Sequence, residues 1–238
     1  MTFNEFNLKD LLQKAIDEAG FKEPSPIQEQ AIPFVLAGRD IVGQAHTGTG
    51  KTAAFGLPIL NNMKGNSGVE AVVIVPTREL AMQVSDELYR FGKFLGVNTA
   101  TVYGGQAYAR QIKLIENAGI IVATPGRFLD LLRGGKIDIK PEYVILDEAD
   151  EMLDMGFLDD IKEIFTFLPE ERQTLLFSAT MPVAIKNLAK TILKDPEFIT
   201  LTKKDVTNSK ITQTFYVVDE RERDDALIRL YDYKNPTK

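Results

Sequence analysis

The feature that most constrains the fold of this chain is a glycine-rich loop between an apolar run and a helix-forming run. The apolar run is Ile41-Val42, and the loop consists of Ala45, His46, Thr47, Gly48, Thr49, Gly50, Lys51 and Thr52. Glycines let consecutive backbone N–H groups point at an anion, and the following helix adds its positive N-terminal end. Lys51 can reach the β- and γ-phosphates of a nucleotide, and the Thr52 hydroxyl can hold Mg²⁺. An ordinary glycine-rich turn is the alternative, but it explains Gly-Lys-Thr at a helix start poorly.

Composition excludes several classes of protein. The chain has 238 residues, 44% of them hydrophobic and 26% charged, which are ordinary values for a globular domain. It has no cysteine and one histidine, which excludes disulfides, thiol catalysis and metal sites rich in Cys or His. No apolar run is long enough to span a membrane, and the N-terminus lacks the pattern of a signal peptide. We expect a cytoplasmic protein whose metal, if any, is a hard ion held by oxygen ligands.

The charge is acidic and unevenly distributed. The formal net charge of −6 argues mildly against a protein that coats nucleic acid electrostatically. Between Glu142 and Glu163, nine carboxylates stand against one lysine, Lys162. A basic surface elsewhere is therefore compatible with the sequence, and net charge alone does not decide the partner.

Strand-like and helix-like patterns alternate along the chain. The predicted strands are residues 41–42, 71–75, 99–103, 120–123, 143–146, 174–177 and 198–201. Several of these runs are continuously apolar, which is typical of strands covered by helices on both faces. The predicted helices include residues 8–19, 78–95, 108–117, 128–133 and 183–193. The pattern predicts a doubly wound, mainly parallel α/β sheet with helices on both faces.

The C-terminal residues have a different organisation. Residues 1–202 are predicted to form the α/β domain, and residues 203–210 are polar enough to indicate a linker. A predicted strand at 212–218 and a charged helix at 220–233 follow. One strand and one helix cannot bury a core of their own. We therefore expect residues 211–238 to open a second domain whose remainder is absent.

A second chemical signal stands at the end of an apolar strand. Tyr143-Val144-Ile145-Leu146 leads directly into Asp147-Glu148. Carboxylates at the carboxyl end of a parallel strand face the ligand crevice. We assign Asp147 to Mg²⁺ and Glu148 to the attacking water. The alternative is an acidic helix start that offsets the helix dipole, and the phosphate loop upstream makes that alternative weaker.

Together these segments resemble the N-terminal RecA-like domain of the DEAD-box ATP-dependent RNA helicases, a class of P-loop NTPase. Residues 147–150 spell Asp-Glu-Ala-Asp, the family signature, and residues 45–52 match its motif I. Other similar segments occur in the family's order: the Q motif at 20–28, motif Ia at 76–81, paired glycines at 104–105, motif Ib at 124–127 and motif III at 178–180. The resemblance covers essentially all of residues 1–202 and implies binding of ATP and Mg²⁺.

The resemblance implies how adenine is recognised. Gln28 would read the purine edge through its amide, which offers both a donor and an acceptor. Phe3, the upstream aromatic of the Q motif, would stack on the adenine, and Phe21 would help through its backbone. The alternative for Gln28 is the capping of a turn, and for Phe3 and Phe21 it is core packing.

The resemblance also assigns motif III. Ser178 and Thr180 would link the region of Asp150 to closure of the lobes, and so belong with the catalytic residues Lys51, Asp147 and Glu148. A capping pair before the helix that begins near Pro182 is the alternative, and both statements can be true together.

An RNA surface is implied at three further motifs. Its positions are Pro76, Thr77, Arg78, Gly104, Gly105, Gln106, Thr124, Pro125, Gly126 and Arg127. Glycine N–H groups and small hydroxyls suit phosphate and ribose contacts, which position a strand without reading its sequence. For Arg78 and Arg127 a solvated surface charge is the alternative. Both arginines follow strand ends, on the side of the sheet where ligands gather.

Two departures from the pattern involve the phosphate loop. Ala45 stands where the usual loop begins with glycine, and His46 stands where the family often has glutamine. We expect the His46 side chain to point away from the phosphates and to have little effect.

A third departure is the second RecA-like lobe, with further RNA contacts and arginine fingers, which the family has and this chain lacks. We therefore expect a monomeric ATP-binding lobe that binds RNA weakly and hydrolyses ATP very slowly. The other interpretations are a stand-alone adenine-nucleotide-binding module and another P-loop ATPase such as a DNA translocase.

Overall fold

The computed structural model describes residues 1–65, 68–201 and 216–234. The chain divides into two compact units, Met1–Val206 and Thr207–Lys238. The first unit contains a seven-stranded sheet whose strands, in chain order, are β1 (Ile41–Gln44), β2 (Ala71–Ile74), β3 (Thr99–Val102), β4 (Ile120–Ala123), β5 (Tyr143–Leu146), β6 (Gln173–Ser178) and β7 (Glu197–Thr200).

All pairings in the sheet are parallel, and the spatial order is β3-β4-β2-β5-β6-β1-β7. The predicted doubly wound parallel sheet is therefore confirmed. Because the strands are parallel, the loops that follow β1 through β6 all leave from the same edge of the sheet. The phosphate loop follows β1, and the Asp147-Glu148 pair follows β5, with β6 between these two strands.

Helices surround this sheet. In chain order they are α1 (Asp10–Ala19), α2 (Pro26–Leu36), α3 (Lys51–Asn62), α4 (Arg78–Gly92), α5 (Tyr108–Ile115), α6 (Pro125–Arg133), α7 (Ala149–Asp154), α8 (Leu158–Phe167) and α9 (Val183–Ile192). Short 3-10 turns at Phe3–Phe6 and Lys93–Leu95 complete the regular structure of this unit. Among the residues described, no helix has the length and apolar character needed to cross a membrane.

Two cores, one on each face of the sheet, hold the helices in place. Val73 and Ile145 point into the core that includes residues of α1 to α4. Val72 and Val144 point into the opposite core, which includes residues of α6 to α9. Full burial of one such aliphatic side chain stabilises the fold by about 1.5–3 kcal/mol. The continuous apolar runs are thus explained, because both faces of each central strand are covered.

The observed elements differ from the predicted ones mostly at their ends. α6 begins at Pro125 rather than at 128, since proline is well suited to the first position of a helix. The prediction missed α2, which contains an internal Pro33. Proline inside a helix is unfavourable, but Ile27 and Ile32 of α2 are fully buried, and their packing outweighs that cost. α8 was also missed.

The second unit is described only for residues 216–234. A 3-10 turn at Glu220–Glu222 leads into α10 (Arg223–Lys234), which corresponds to the helix predicted at 220–233. α10 has no buried residue. The predicted linker at 203–210 lies outside the described residues, as do residues 212–215 of the predicted strand, and residues 216–218 are not in a strand. The proposed domain boundaries stay a prediction.

Candidate nucleotide and RNA site

The phosphate loop connects β1 to α3, and its last glycine has a geometry that only glycine adopts readily. Gly50 has φ +90°, and a Cβ atom there would lie 2.4 Å from Nε2 of Gln28. Lys51 is the first residue of α3. Thr49 Oγ1 donates a hydrogen bond to the His46 carbonyl at 2.7 Å, which closes the turn. The His46 side chain is exposed, and its orientation relative to bound phosphates stays a prediction.

Lys51 joins the loop to the two carboxylates that follow β5. Its Nζ lies 2.8 Å from Glu148 Oε1 and 3.4 Å from Asp147 Oδ1. All three side chains are nearly inaccessible to solvent, with 4–7% of each exposed. Nζ also donates to the carbonyl of Ala45 at 3.3 Å. Buried charges at these distances are stable only when they are paired and hydrogen-bonded, as here.

The backbone and side chain of Glu148 are both constrained. Glu148 has φ 56°, a left-handed conformation that costs a non-glycine residue about 1–3 kcal/mol. Thr47 Oγ1 donates to its Oε1 at 2.7 Å, and the Glu148 N–H donates to Asp147 Oδ1 at 3.0 Å. The strained turn places both carboxylates against the same lysine. Strain of this kind is typical of functional sites.

Burial dominates the ionisation of Asp147. The pKa of this carboxyl is raised to about 6, mainly by desolvation and in addition by the nearby charge of Glu148, while Lys51 acts in the opposite direction. The charge on Lys51 therefore only partly offsets the removal of water. A carboxylate in this state gains from any added positive charge, including a metal cation.

Asp150 connects the acidic segment after β5 to motif III. Its carboxylate accepts hydrogen bonds from the N–H and Oγ1 of Thr180, both at 2.8 Å, and from the Ala179 N–H at 3.3 Å. The Asp150 N–H in turn donates to Oγ of Ser178, which is fully buried. Burial alone would raise the pKa of Asp150, but the hydrogen bonds from Ser178 and Thr180 outweigh it and lower that pKa. Sequence reasoning placed Ser178 and Thr180 here but did not include Asp150 among the site residues.

Gln28 lies against the phosphate loop with its amide already engaged. Oε1 accepts from the N–H of Ser25 at 2.9 Å, and Nε2 donates to the Gly50 carbonyl at 3.0 Å. Only 4% of Gln28 is exposed. These bonds correspond to the capping alternative, and they also link the Q motif directly to the loop. Its reading of adenine stays a prediction: beyond these two bonds, the amide can offer the base the second N–H of Nε2 and the second lone pair of Oε1.

The two aromatic residues assigned to the adenine differ in their exposure. Phe3 is 2% exposed and packs edge-on against Phe6 in the core. Phe21 is 36% exposed, and its ring centroid lies 6.1 Å from that of Phe3. In this structure the core-packing alternative describes Phe3, because almost none of its ring surface is available for stacking. The side chain of Phe21 is therefore accessible, whereas the sequence analysis assigned to Phe21 only a contribution through its backbone.

The residues assigned to RNA occupy the segments that follow β2, β3 and β4, including the first turns of α4 and α6. Thr77 caps α4 by accepting a hydrogen bond from the Leu80 N–H at 3.2 Å. The Arg78 guanidinium stacks over the ring of Tyr103, 4.8 Å from its centroid. Gly104 and Gly105 are exposed beside it. Pro125 is buried at the first position of α6, where it shapes the loop and offers little surface for a contact.

Arg127 is held by Gln106, which the sequence analysis assigned to the RNA surface, and by Tyr108 and Gln111, which it did not single out. Its Nη1 donates to the Gln106 carbonyl at 2.7 Å and to Oε1 of Gln111 at 3.1 Å. Its guanidinium carbon lies 4.2 Å from the centroid of the Tyr108 ring. The spacing of Tyr108 and Gln111 on one face of a helix was the only sequence signal for this cluster.

The comparisons with known proteins agree with this arrangement. Residues 25–188 match the model of the DEAD/DEAH box helicase family. That match spans more than half of the chain and includes the phosphate loop and both acidic residues. The chain belongs to the DEAD/DEAH box helicase family. Neither alternative, a stand-alone nucleotide module or another class of P-loop ATPase, is favoured.

Curated relatives and solved structures are similar over nearly the whole chain. It is 56% identical to the DEAD-box ATP-dependent RNA helicase RhpA of Helicobacter pylori and 50% identical to CshA of Streptococcus pneumoniae. The matches cover 100% and 99% of this chain but only 49% and 46% of those proteins. The chain therefore spans about half the length of the curated relatives it matches.

A crystal structure of a DEAD box protein from Methanococcus jannaschii superimposes with a TM-score of 0.84 at 45% identity, covering 97% of this chain and 63% of that one. A second solved structure, a hypothetical ATP-dependent RNA helicase from Sulfolobus tokodaii, gives a TM-score of 0.76 at 43% identity and covers 82% of this chain and 57% of that one. Both neighbours confirm the RecA-like fold expected of this family.

Proposed function

We propose that this chain is the ATP-binding lobe of an ATP-dependent RNA helicase that hydrolyses ATP to ADP and phosphate and separates RNA strands locally. The observation that carries the proposal is the buried ion-pair group of Lys51, Asp147 and Glu148, which unites the loop after β1 with the acidic end of β5. A lysine at a helix start, held against two carboxylates beneath a glycine-rich loop, suits phosphoryl chemistry better than a structural role.

Lys51 exchanges its partners when nucleotide binds. In the structure its ammonium contacts Glu148 Oε1 and the Ala45 carbonyl. A phosphate offers a stronger partner, because its oxygens carry more charge and also accept hydrogen bonds from the loop N–H groups at the N-terminus of α3. Release of Lys51 frees Glu148 to accept a proton from the attacking water.

The donor set beside Lys51 suits Mg²⁺. Asp147 offers a carboxylate and Thr52 a hydroxyl, and Mg²⁺ is commonly held by one or two carboxylates plus substrate phosphates and water. The Thr52 hydroxyl donates a hydrogen bond to the carboxylate of Glu87 in α4. Burial raises the pKa of Glu87 above its ordinary value, and the hydrogen bond from Thr52 offsets part of that rise. The oxygen lone pairs of Thr52 are then available to a cation. When bound, Mg²⁺ would neutralise charge that develops on the phosphates.

The Asp150 group supports coupling between nucleotide and RNA. The Ala45 N–H donates to the Ser178 carbonyl at 3.0 Å, and the Asp150 N–H donates to Ser178 Oγ at 3.0 Å. Ser178 therefore touches both the phosphate loop and the acidic segment. A shift of either one is transmitted through Ser178 to Thr180, which is exposed at the surface.

The RNA surface that we propose consists of Thr77, Arg78, Gly104, Gly105, Gln106, Thr124, Gly126 and Arg127, with Pro76 and Pro125 as supports. Its contacts would be to phosphate and ribose, independent of sequence. We further propose that Gln28 selects adenine, that a second RecA-like lobe completes both sites, and that the protein acts as a cytoplasmic monomer.

The test compares hydrolysis by this chain alone with hydrolysis by a fusion that supplies a second RecA-like lobe. We expect very slow turnover and no unwinding by the 238-residue chain, and RNA-stimulated turnover by the fusion. In the fusion, Glu148→Gln should retain ATP binding and lose hydrolysis. Glu142→Gln is the matched control, because Glu142 lies at the opposite end of β5 and pairs with the exposed Lys64. Normal RNA-stimulated turnover in Glu148→Gln would contradict the role of this residue.

A further inference from the structure

Gln111 of α5 is a completely buried amide beside the proposed RNA surface. Its Nε2 donates to the Tyr103 carbonyl at 2.8 Å, and its Oε1 accepts from Arg127 Nη1 at 3.1 Å. Its exposed fraction is 0%. A carbonyl can only accept and a guanidinium can only donate, so this pair of partners permits a single orientation of the amide. Gln111 therefore holds two loops in one fixed relationship.

The contacts of Arg127 leave part of its guanidinium for an outside acceptor. Nη1 is engaged by Gln111 and by the Gln106 carbonyl, and one face of the group packs on Tyr108. In the part of the chain that the structure describes, no carboxylate forms an ion pair with Arg127. Nε and Nη2 therefore keep the forked geometry that matches a phosphate.

The Nε2 end of the Gln111 amide binds the backbone of Tyr103, whose ring lies under the second arginine of the surface, Arg78. The carbonyl of Tyr103 accepts the hydrogen bond from Gln111, and its ring lies under the Arg78 guanidinium. The Tyr103 hydroxyl accepts a hydrogen bond from Gln106 Nε2 at 2.5 Å. Through Tyr103 and Arg127, Gln111 links the segments that follow β2, β3 and β4. Both arginines of the surface are thus tied to one buried side chain.

We propose that Gln111 is a positioning residue for RNA: it holds Arg127 in the geometry that receives the backbone of a single strand. This inference rests on the proposed function, since the strand is the RNA of that reaction. Gln111 does not touch RNA itself, because it is fully buried. Its contribution is made through Arg127, which otherwise has many rotamers available.

A double-mutant cycle tests this role. We would measure fluorescence anisotropy of a labelled oligouridylate of about ten nucleotides with wild type, Gln111→Met, Arg127→Ala and the double variant, all on the 238-residue chain. Methionine keeps the length of glutamine but has neither donor nor strong acceptor. We expect Gln111→Met to raise the Kd for RNA about fivefold and Arg127→Ala about tenfold. The double variant should bind no more weakly than Arg127→Ala alone, because Gln111 acts through Arg127.

Two measurements separate positioning from general damage to the fold. Circular dichroism spectra and the Kd for ADP should be unchanged in Gln111→Met. The surface variant Gln13→Met is the matched control and should match wild type throughout. As a second variant, Gln111→Glu keeps an acceptor for Arg127 while losing the donor to Tyr103, and it should bind RNA within about twofold of wild type. If Gln111→Met does not fold, the RNA affinity of Gln111→Glu compared with that of Arg127→Ala tests the role by itself.

The outcomes distinguish this inference from the proposed function. If Arg127→Ala weakens RNA binding but Gln111→Met does not, Gln111 is not a positioning residue while the RNA surface stands. Additive losses in the double variant would overturn the inference as well, and so would a loss in Gln111→Glu as large as that of Arg127→Ala. If the wild-type chain alone binds RNA too weakly to measure, the same variants are compared in the fusion that supplies a second RecA-like lobe. If Arg127→Ala has no effect on the Kd for RNA, the RNA surface of the proposed function and this inference are both overturned.

Discussion

Lys51 Nζ lies 2.8 Å from Glu148 Oε1, although the two residues follow strands that are separated by β6. The ion pair joins the start of α3 to the end of β5. If phosphate binds Lys51 as we propose, binding exchanges one set of charged contacts for another. We would then expect a net affinity smaller than the contacts to phosphate alone would suggest, since the first set must be given up.

Replacement of Lys51 should affect both nucleotide binding and stability. Lys51→Met leaves Asp147 and Glu148 as two adjacent buried carboxylates without a cation. We expect the free energy of unfolding near pH 8 to fall by about 3 kcal/mol and the Kd for ADP to rise at least about tenfold. Urea denaturation and calorimetric titration measure these changes. Lys64→Met, which removes an exposed ion pair, is the control and should change neither by much.

The stability of the nucleotide-free protein should depend on pH through Asp147. Its pKa is raised from 3.8 to about 6, so folding favours the protonated form. The stabilising contribution of this group is full below 3.8 and is lost as the pH rises through about 6. Over that interval Asp147 lowers the free energy of unfolding by at most about 3 kcal/mol.

The variant Asp147→Asn isolates this effect, because it keeps the shape and removes the titration. Relative to wild type, its free energy of unfolding should increase between about pH 4 and about pH 6. Urea denaturation at a series of pH values gives the difference directly. A constant difference across that range would show that burial does not raise the pKa of Asp147.

Gln28 should matter for adenine and for the loop together. Gln28→Ala removes the bonds to Ser25 and Gly50 and the amide that we expect to face the base. The Kd for ADP should rise about tenfold, while the wild-type chain should bind ATP or ADP and not GTP. Calorimetry with adenine and guanine nucleotides measures both. Gln30→Ala, at an exposed position of the same helix, is the control. If the wild type binds GTP about as tightly as ATP, selection of adenine is contradicted.

Ser178 should contribute to stability more than to nucleotide affinity. Ser178→Ala removes the acceptor for the Asp150 N–H and a donor to its carboxylate, at a fully buried position. We expect a loss of about 1–2 kcal/mol in the free energy of unfolding, with the Kd for ADP within about twofold of wild type. The lowered pKa of Asp150 contributes stability that is present above its ordinary value and lost as the pH falls. Thr191→Ala, at an exposed helix position, is the control. If Ser178→Ala loses much of its affinity for ADP while Thr191→Ala does not, Ser178 belongs to the nucleotide site instead.

Local patterns predicted the sheet because the strands are short, apolar on both faces and punctuated by glycine and proline. The positions of Lys51, Asp147 and Glu148 followed from the same logic, since parallel strands bring their carboxyl ends to one edge. α2 escaped prediction because its internal Pro33 argues against a helix, while the burial of Ile27 and Ile32 that favours one depends on the rest of the fold.

The sequence by itself determined which residues lie at the ligand edge of the sheet, because they follow strands predicted to be parallel, and parallel strands bring their carboxyl ends to one edge. Only the tertiary structure decided what each side chain touches. Phe3 is in the core, Gln28 already hydrogen-bonds to the loop, and Arg127 depends on Gln111. The reason is physical: burial and hydrogen-bond partners arise from contacts between segments distant in the chain, and a motif records residue types but not those contacts.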